Sequence, residues 1–190
     1  MRYLDLMRAR TLLANGFVAS LLALWAAGAW ADSQRLDDLF AQLQSATDAE
    51  AVNITEDIWL EWSKSGSAAM DLLLRRAQNA LAAGDAMTAV DHASALIDHA
   101  PDFAEGYNIR ATAYFQLGEL GLALGDIGRT LALNPRHFGA LAGLGAIFEE
   151  LNEPSKALEV YHEALKINPH MTDVKDAIAR VETLIGGQEL

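Results

Sequence analysis

This chain of 190 residues has five histidines and no cysteine, so the histidines come first in any search for chemistry. His162-Glu163 begins like a zinc-binding helix. No second histidine follows four residues on, where the next ligand would project from the same face. His92 and His99 stand two turns apart on one helix face, but no clustered third ligand accompanies them. They are read as solvated or partly packed side chains. Gly143-x-Gly145 falls inside a helical segment, not after a strand, and is no nucleotide fingerprint. Asn53-Ile54-Thr55 fits a glycosylation acceptor but sits mid-helix, and acidic pairs such as Glu149-Glu150 read as solvated faces. No nucleophile and base stand in a recognisable pair, and zero cysteines removes both a thiol nucleophile and a disulfide framework. The expectation is a protein that is not an enzyme, with no catalytic residue, no metal and no cofactor.

The elements that would carry any surface are set by a period. Pro101, Pro135 and Pro169 are 34 residues apart. Gly84, Gly118 and Asn152 keep the same step, as do Ala89, Ala123, Ala157 and Ile97, Leu131, Leu165. A 34-residue period is that of a helix–turn–helix unit, stacked with its neighbours. Three units follow: Met70 to Phe103, Ala104 to His137, and Phe138 to Met171. In each, Gly or Asn suits a left-handed cap after the first helix, and proline stops the second. Leu131 and Leu165 should be buried between helices.

Before them, Ser33 can cap a helix with Leu36, Leu39, Phe40 and Leu43 on one face. Thr47-Asp48 starts a second, with Val52, Ile58, Trp59 and Trp62, which stops at Ser65-Gly66-Ser67. Residues 32–69 thus read as a degenerate repeat or an N-terminal cap. After the units, residues 172–190 hold a closing helix with Val174, Ile178, Val181 and Leu184 inward, ended by Gly186-Gly187. Gly121, Gly125 and Gly128 read as a tight helix contact, with a face joining copies as the alternative.

Residues 1–31 have the order of a secretory signal peptide: Arg2, Arg8 and Arg10, an uncharged stretch from Thr11 to Ala31, then Ala29-Trp30-Ala31. Cleavage after Ala31 is expected, with a retained membrane anchor as the alternative. Removing three Arg and one Asp leaves 11 basic and 25 acidic residues, a net charge of −14. Such a surface repels nucleic acid and anionic headgroups and favours basic or neutral partners.

The units resemble tetratricopeptide repeats. The third matches at Leu141, Leu144, Gly145, Phe148, Ala157, Tyr161, Ala164 and Pro169. The second matches at Tyr107, Ala111, Tyr114, Ala123, Ile127 and Pro135, and the first at Leu73, Ala77, Gly84, Ala89 and Pro101. The resemblance implies an all-α, right-handed superhelix of stacked hairpins, a solenoid of about nine helices. It also implies a pair between Arg110 and Asp126, because some members carry Arg with an Asp on the second helix. Short and exported, the chain looks like periplasmic repeat proteins of Gram-negative bacteria.

In this family ligands lie in the concave groove lined by the first helices. Carried over by position, the groove residues are Leu74, Arg75 and Gln78, then Asn108, Thr112 and Phe115, then Ala142, Ala146 and Glu149. Arg75 and Asn108 partly match the family's carboxylate clamp. The third unit offers Gly139, Ala142, Gly143 and Ala146 in place of cations. The implied function is an exported scaffold holding a segment of another protein. The alternative is a self-assembling or membrane-anchored structural subunit of an envelope complex.

Overall fold

The computed structural model describes residues 34–188. The expected signal segment, its cleavage site and the Ser33 cap lie outside the described residues. Two helices lead, α1 (34–45) and α2 (Asp48–Trp62). Three hairpins follow: α3 (Ala68–Ala82) with α4 (Ala86–His99), α5 (Ala104–Gln116) with α6 (Leu120–Leu133), and α7 (Phe138–Glu150) with α8 (Pro154–Ile167). The last helix is α9 (Thr172–Gln188). Among the described residues there is no strand, and no helix is long and apolar enough to cross a membrane.

Each hairpin turns on the same device. Gly84, Gly118 and Asn152 have φ of 77°, 75° and 56°, the left-handed conformation that glycine and asparagine tolerate best. The next amide reaches back to close the helix end: Asp85 N–H donates to Ala80 O, Glu119 to Tyr114 O and Glu153 to Phe148 O, at 2.8–2.9 Å. This is a Schellman motif repeated three times. The second helices α4, α6 and α8 end at His99, Leu133 and Ile167, two residues before each proline.

Small residues let the hairpins close. Ala77, Ala89, Ala123, Ala157 and Ala164 are fully buried. At Gly145 the Tyr161 ring occupies the space a Cβ would take, so α7 and α8 touch there because the residue is glycine. Successive hairpins then stack, α4 on α5, α6 on α7 and α8 on α9. Arg110 crosses the second hairpin as expected: Nε and Nη2 donate to the two Asp126 carboxylate oxygens at 2.7 and 2.8 Å, and Nη1 donates to Ser94 Oγ. The hydrogen bond to Asp126 raises the Arg110 guanidinium above its ordinary value, against the opposing effect of burial.

The structure corrects the sequence reading of the helices and their packing in five places. Leu131 and Leu165 are half-buried, packed against their clusters but not enclosed. Leu184 is exposed, while Val174, Ile178 and Val181 are buried as expected. The helix does not stop at Gly186-Gly187 but continues to Gln188, since glycine lowers helix stability without forbidding it. At Gly121, Gly125 and Gly128 a Cβ would meet nothing within 4 Å, so these glycines make no tight helix contact.

The fifth correction concerns the leading helices, which do not extend the stack. They pack on each other through Leu39, Phe40, Leu43, Ala51, Ile58 and Trp62, in a cluster completed by Phe138 of α7, Ile167 and Met171. No residue of α3 or α4 belongs to that cluster. Trp59 and Trp62 pack instead against His137 and Phe138, at the junction between the second and third hairpins. Thr47 starts α2 with a capping box: its side chain accepts from Glu50 N–H, and Glu50 accepts from Thr47 N–H.

Candidate functional site

The α1–α2 pair runs as a strap across the proline-containing loops. At one end, the Gln44 amide donates to the carbonyl oxygens of Lys166 and Ile167 at 3.1 and 2.8 Å. His170, just after Pro169, faces Asp48 Oδ1 through Nδ1 at 2.6 Å and Leu43 O through Nε2 at 3.0 Å. Both partners are acceptors, so the ring makes both contacts only with a proton on each nitrogen. The hydrogen bond to His170 holds the Asp48 carboxyl below its ordinary value, with the charges of His170 and Lys175 acting in the same direction.

Toward its other end, α2 sits over the loop before α7. Trp62 stacks on His137 with ring centres 4.4 Å apart and lies 5.0 Å from Phe138. Trp59 meets Phe138 edge-on at 5.5 Å. Its indole also covers Gly139, where a Cβ would come within 2.5 Å of Cη2. His137 is fully buried and caps α7. Its Nδ1 accepts from Ala140 N–H at 2.9 Å, which leaves Nε2 to donate to the buried Glu105 carboxylate at 2.7 Å. Arg136 pairs with Asp37 at 2.7 Å and lies over the Phe40 ring. None of this was visible as a contact in the sequence.

Two hollows lie on either side of Gly139. The smaller, about 120 Å³, opens between α5 and α7. Asn108, Thr112 and Phe115 form one wall, and Gly143 and Ala146 the other. Four of the nine groove residues expected from sequence, Asn108, Thr112, Phe115 and Ala146, therefore meet around one depression. Phe115 is half-buried against the α5–α6–α7 cluster. The larger hollow, about 570 Å³, is walled by α2 on one side and by α7 and the start of α9 on the other. Ala142 lines this one.

The other expected groove residues fall elsewhere. Leu74 is only 1% exposed and belongs to the interior, because its register on α3 faces inward. Arg75 and Gln78 are exposed on α3 and line neither hollow. Glu149 is already engaged: Arg180 donates to its carboxylate at 2.8 and 3.0 Å, and the Tyr161 hydroxyl donates at 2.6 Å. Burial and that hydrogen bond push the Tyr161 hydroxyl above its ordinary value. The larger hollow escaped the sequence reading because half of its wall comes from a helix outside the repeats. Among the described residues, no group of three or more His, Cys, Asp or Glu is arranged to hold a metal ion.

No family model matches the chain. It is 39% identical over 137 residues to a TPR repeat-containing protein of Rhizobium etli, covering 72% of this chain and 67% of that one. It is 33% identical over 92 residues to Hsp70-Hsp90 organizing protein 1 of Glycine max, covering 48% of this chain and 16% of that one. Among solved structures, it resembles the first TPR of Spaghetti (RPAP3), bound to HSP90 peptide SRMEEVD. The TM-score is 0.59 at 21% identity, covering 62% of this chain and 95% of that one. It also resembles the Sgt2 TPR domain from Aspergillus fumigatus, with a TM-score of 0.61 at 20% identity, covering 65% and 83%.

Proposed function

Because the chain belongs to the tetratricopeptide-repeat proteins, we propose that it is an exported adaptor that holds a segment of another protein in the groove between α5 and α7. One observation carries this reading. Asn108, Thr112, Phe115 and Ala146 converge on a single hollow of about 120 Å³, room for one apolar side chain. The Asn108 amide donates to Glu105 and the Thr112 hydroxyl to Asn108 O, so their side-chain oxygens are what is left to accept from a ligand N–H. The relative solved with a bound HSP90 peptide supports a peptide as the ligand class. Export rests on the basic, apolar and A-x-A order of residues 1–31.

Replacing Phe115 by alanine should weaken partner capture about thirtyfold, near 2 kcal/mol, with helicity unchanged. Unchanged capture by a folded variant would remove the groove from the account.

A second reading is self-association through α6. Gly121, Gly125 and Gly128 are open to solvent there, and Leu122 beside them is an exposed large apolar residue. Light scattering over a concentration series separates the two: a constant mass speaks for the adaptor, a rising one for assembly.

A further inference from the structure

The larger hollow differs from the groove in both size and charge. Its volume of about 570 Å³ lies within the range of ligand-binding clefts, whereas the groove hollow takes a single side chain. Its apolar wall includes Val52, Trp59, Phe138 and Met171. Val52 is 58% exposed, so an apolar side chain stands uncovered at the mouth. Three carboxylates stand around that wall: Asp48, Glu56 and Asp173. All three are exposed. Among the described residues Glu56 and Asp173 make no ion pair, whereas Asp48 pairs with His170 at 2.6 Å and also feels the Lys175 charge, so the unpaired negative charge is that of Glu56 and Asp173. The one basic residue lining the hollow, His170, directs both ring nitrogens at Asp48 and Leu43. The hollow thus joins an apolar wall to a negative edge, on a chain that is itself strongly acidic.

We infer that this cleft between α2, α7 and α9 is a second docking site, for a segment of another protein that carries an apolar side chain next to lysine or arginine. The apolar group enters against Trp59 and Met171, and the cation lies along Glu56 and Asp173. Charge complementarity selects the partner and speeds its encounter. An acidic tail such as SRMEEVD, seen on the Spaghetti relative, is repelled at this edge. The inference rests on the groove reading only in taking the ligand to be a peptide segment.

The test is fluorescence anisotropy at physiological salt with the full chain. The probe is a labelled, end-capped nonapeptide of alanine, leucine and three lysines. Its counterpart carries glutamate in place of each lysine. The lysine peptide should bind at least tenfold tighter than the glutamate peptide and than SRMEEVD. Val52→Trp, which fills the mouth, should weaken it at least fivefold, and so should the double variant Glu56→Gln/Asp173→Asn. Asp91→Asn/Asp98→Asn makes the same charge change at exposed positions on α4 and should leave binding unchanged. If Val52→Trp does not fold, the two charge variants decide, since all four side chains are exposed. Equal loss in both charge variants would mean a diffuse field and overturn the site. Absence of a lysine preference would overturn it too. Loss confined to Phe115→Ala would put the peptide in the groove, sinking this inference while leaving the groove reading intact.

Discussion

Truncating Trp62 to alanine should release the strap and leave the repeats standing. The side chain is buried, and its ring contacts four others: His137 at 4.4 Å, Phe138 at 5.0 Å, Trp59 at 5.2 Å and Phe40 at 6.0 Å. Removing a buried Trp costs about 3–5 kcal/mol. Each well-placed aromatic pair adds roughly 0.5–1.5 kcal/mol beyond area alone, which favours the upper half of that range. About 4 kcal/mol is near a thousandfold in an equilibrium. Two of the four rings belong to the strap and two to the start of α7, so the loss falls on docking rather than on hairpin stacking. The local opening should appear in hydrogen exchange, which reads such sub-global events. Amides of α1 and α2 should exchange about a thousandfold faster, and those of α5, α6 and α8 by less than threefold. A rise spread evenly over the whole chain would show that the strap is part of one cooperative stack. No rise in α1 and α2 would show that Trp62 does not hold them.

Asp126→Ala should cost about 3 kcal/mol in a denaturant titration, since it strands the partly buried Arg110; a cost under 0.5 kcal/mol would break the assigned pair. Leu131→Ala and Leu165→Ala should each cost about 1–2 kcal/mol in the same titration, below the usual range for an enclosed leucine, because both are half-buried. The Asp48 and Glu50 carboxyls are held below their ordinary values, by His170 and Thr47 respectively. The stability they contribute is therefore present above their unfolded values and lost as pH falls through the folded ones. Hydrogen exchange should accelerate first at the start of α2 on acidification below about pH 4, and a start of α2 that tightens in acid would contradict this.

The repeats were legible because each carries its own punctuation. Gly84, Gly118 and Asn152 mark left-handed turns, the prolines mark helix ends, and alanine marks close contact. All of these are local signals repeated at one period. The Arg110–Asp126 pair was legible because both residues fall at fixed places in a repeat. The strap was not. The helical pattern of α1 and α2 was clear, but their docking depends on Trp62 meeting His137 and on Gln44 meeting Ile167, contacts spanning 75 and 123 residues. No period links such residues. For the same reason repeat register brings Asn108, Thr112, Phe115 and Ala146 to one hollow and Ala142 to the α7 wall of the cleft, while the α2 wall of that cleft has no register to place it. Leu74 was misplaced because one helix position decides whether a side chain faces the groove or the interior.

The central claim, that a segment of another protein sits against Phe115, is tested most directly by crosslinking from inside the groove. A photoreactive residue at position 112, exposed beside Phe115, should yield adducts with another protein in living cells. Those adducts should vanish when Phe115→Ala is added. The same residue at position 121, open to solvent on α6, should yield none. Adducts from position 121 alone, adducts only between copies of this chain, or adducts from position 112 that persist without the Phe115 ring would contradict the account.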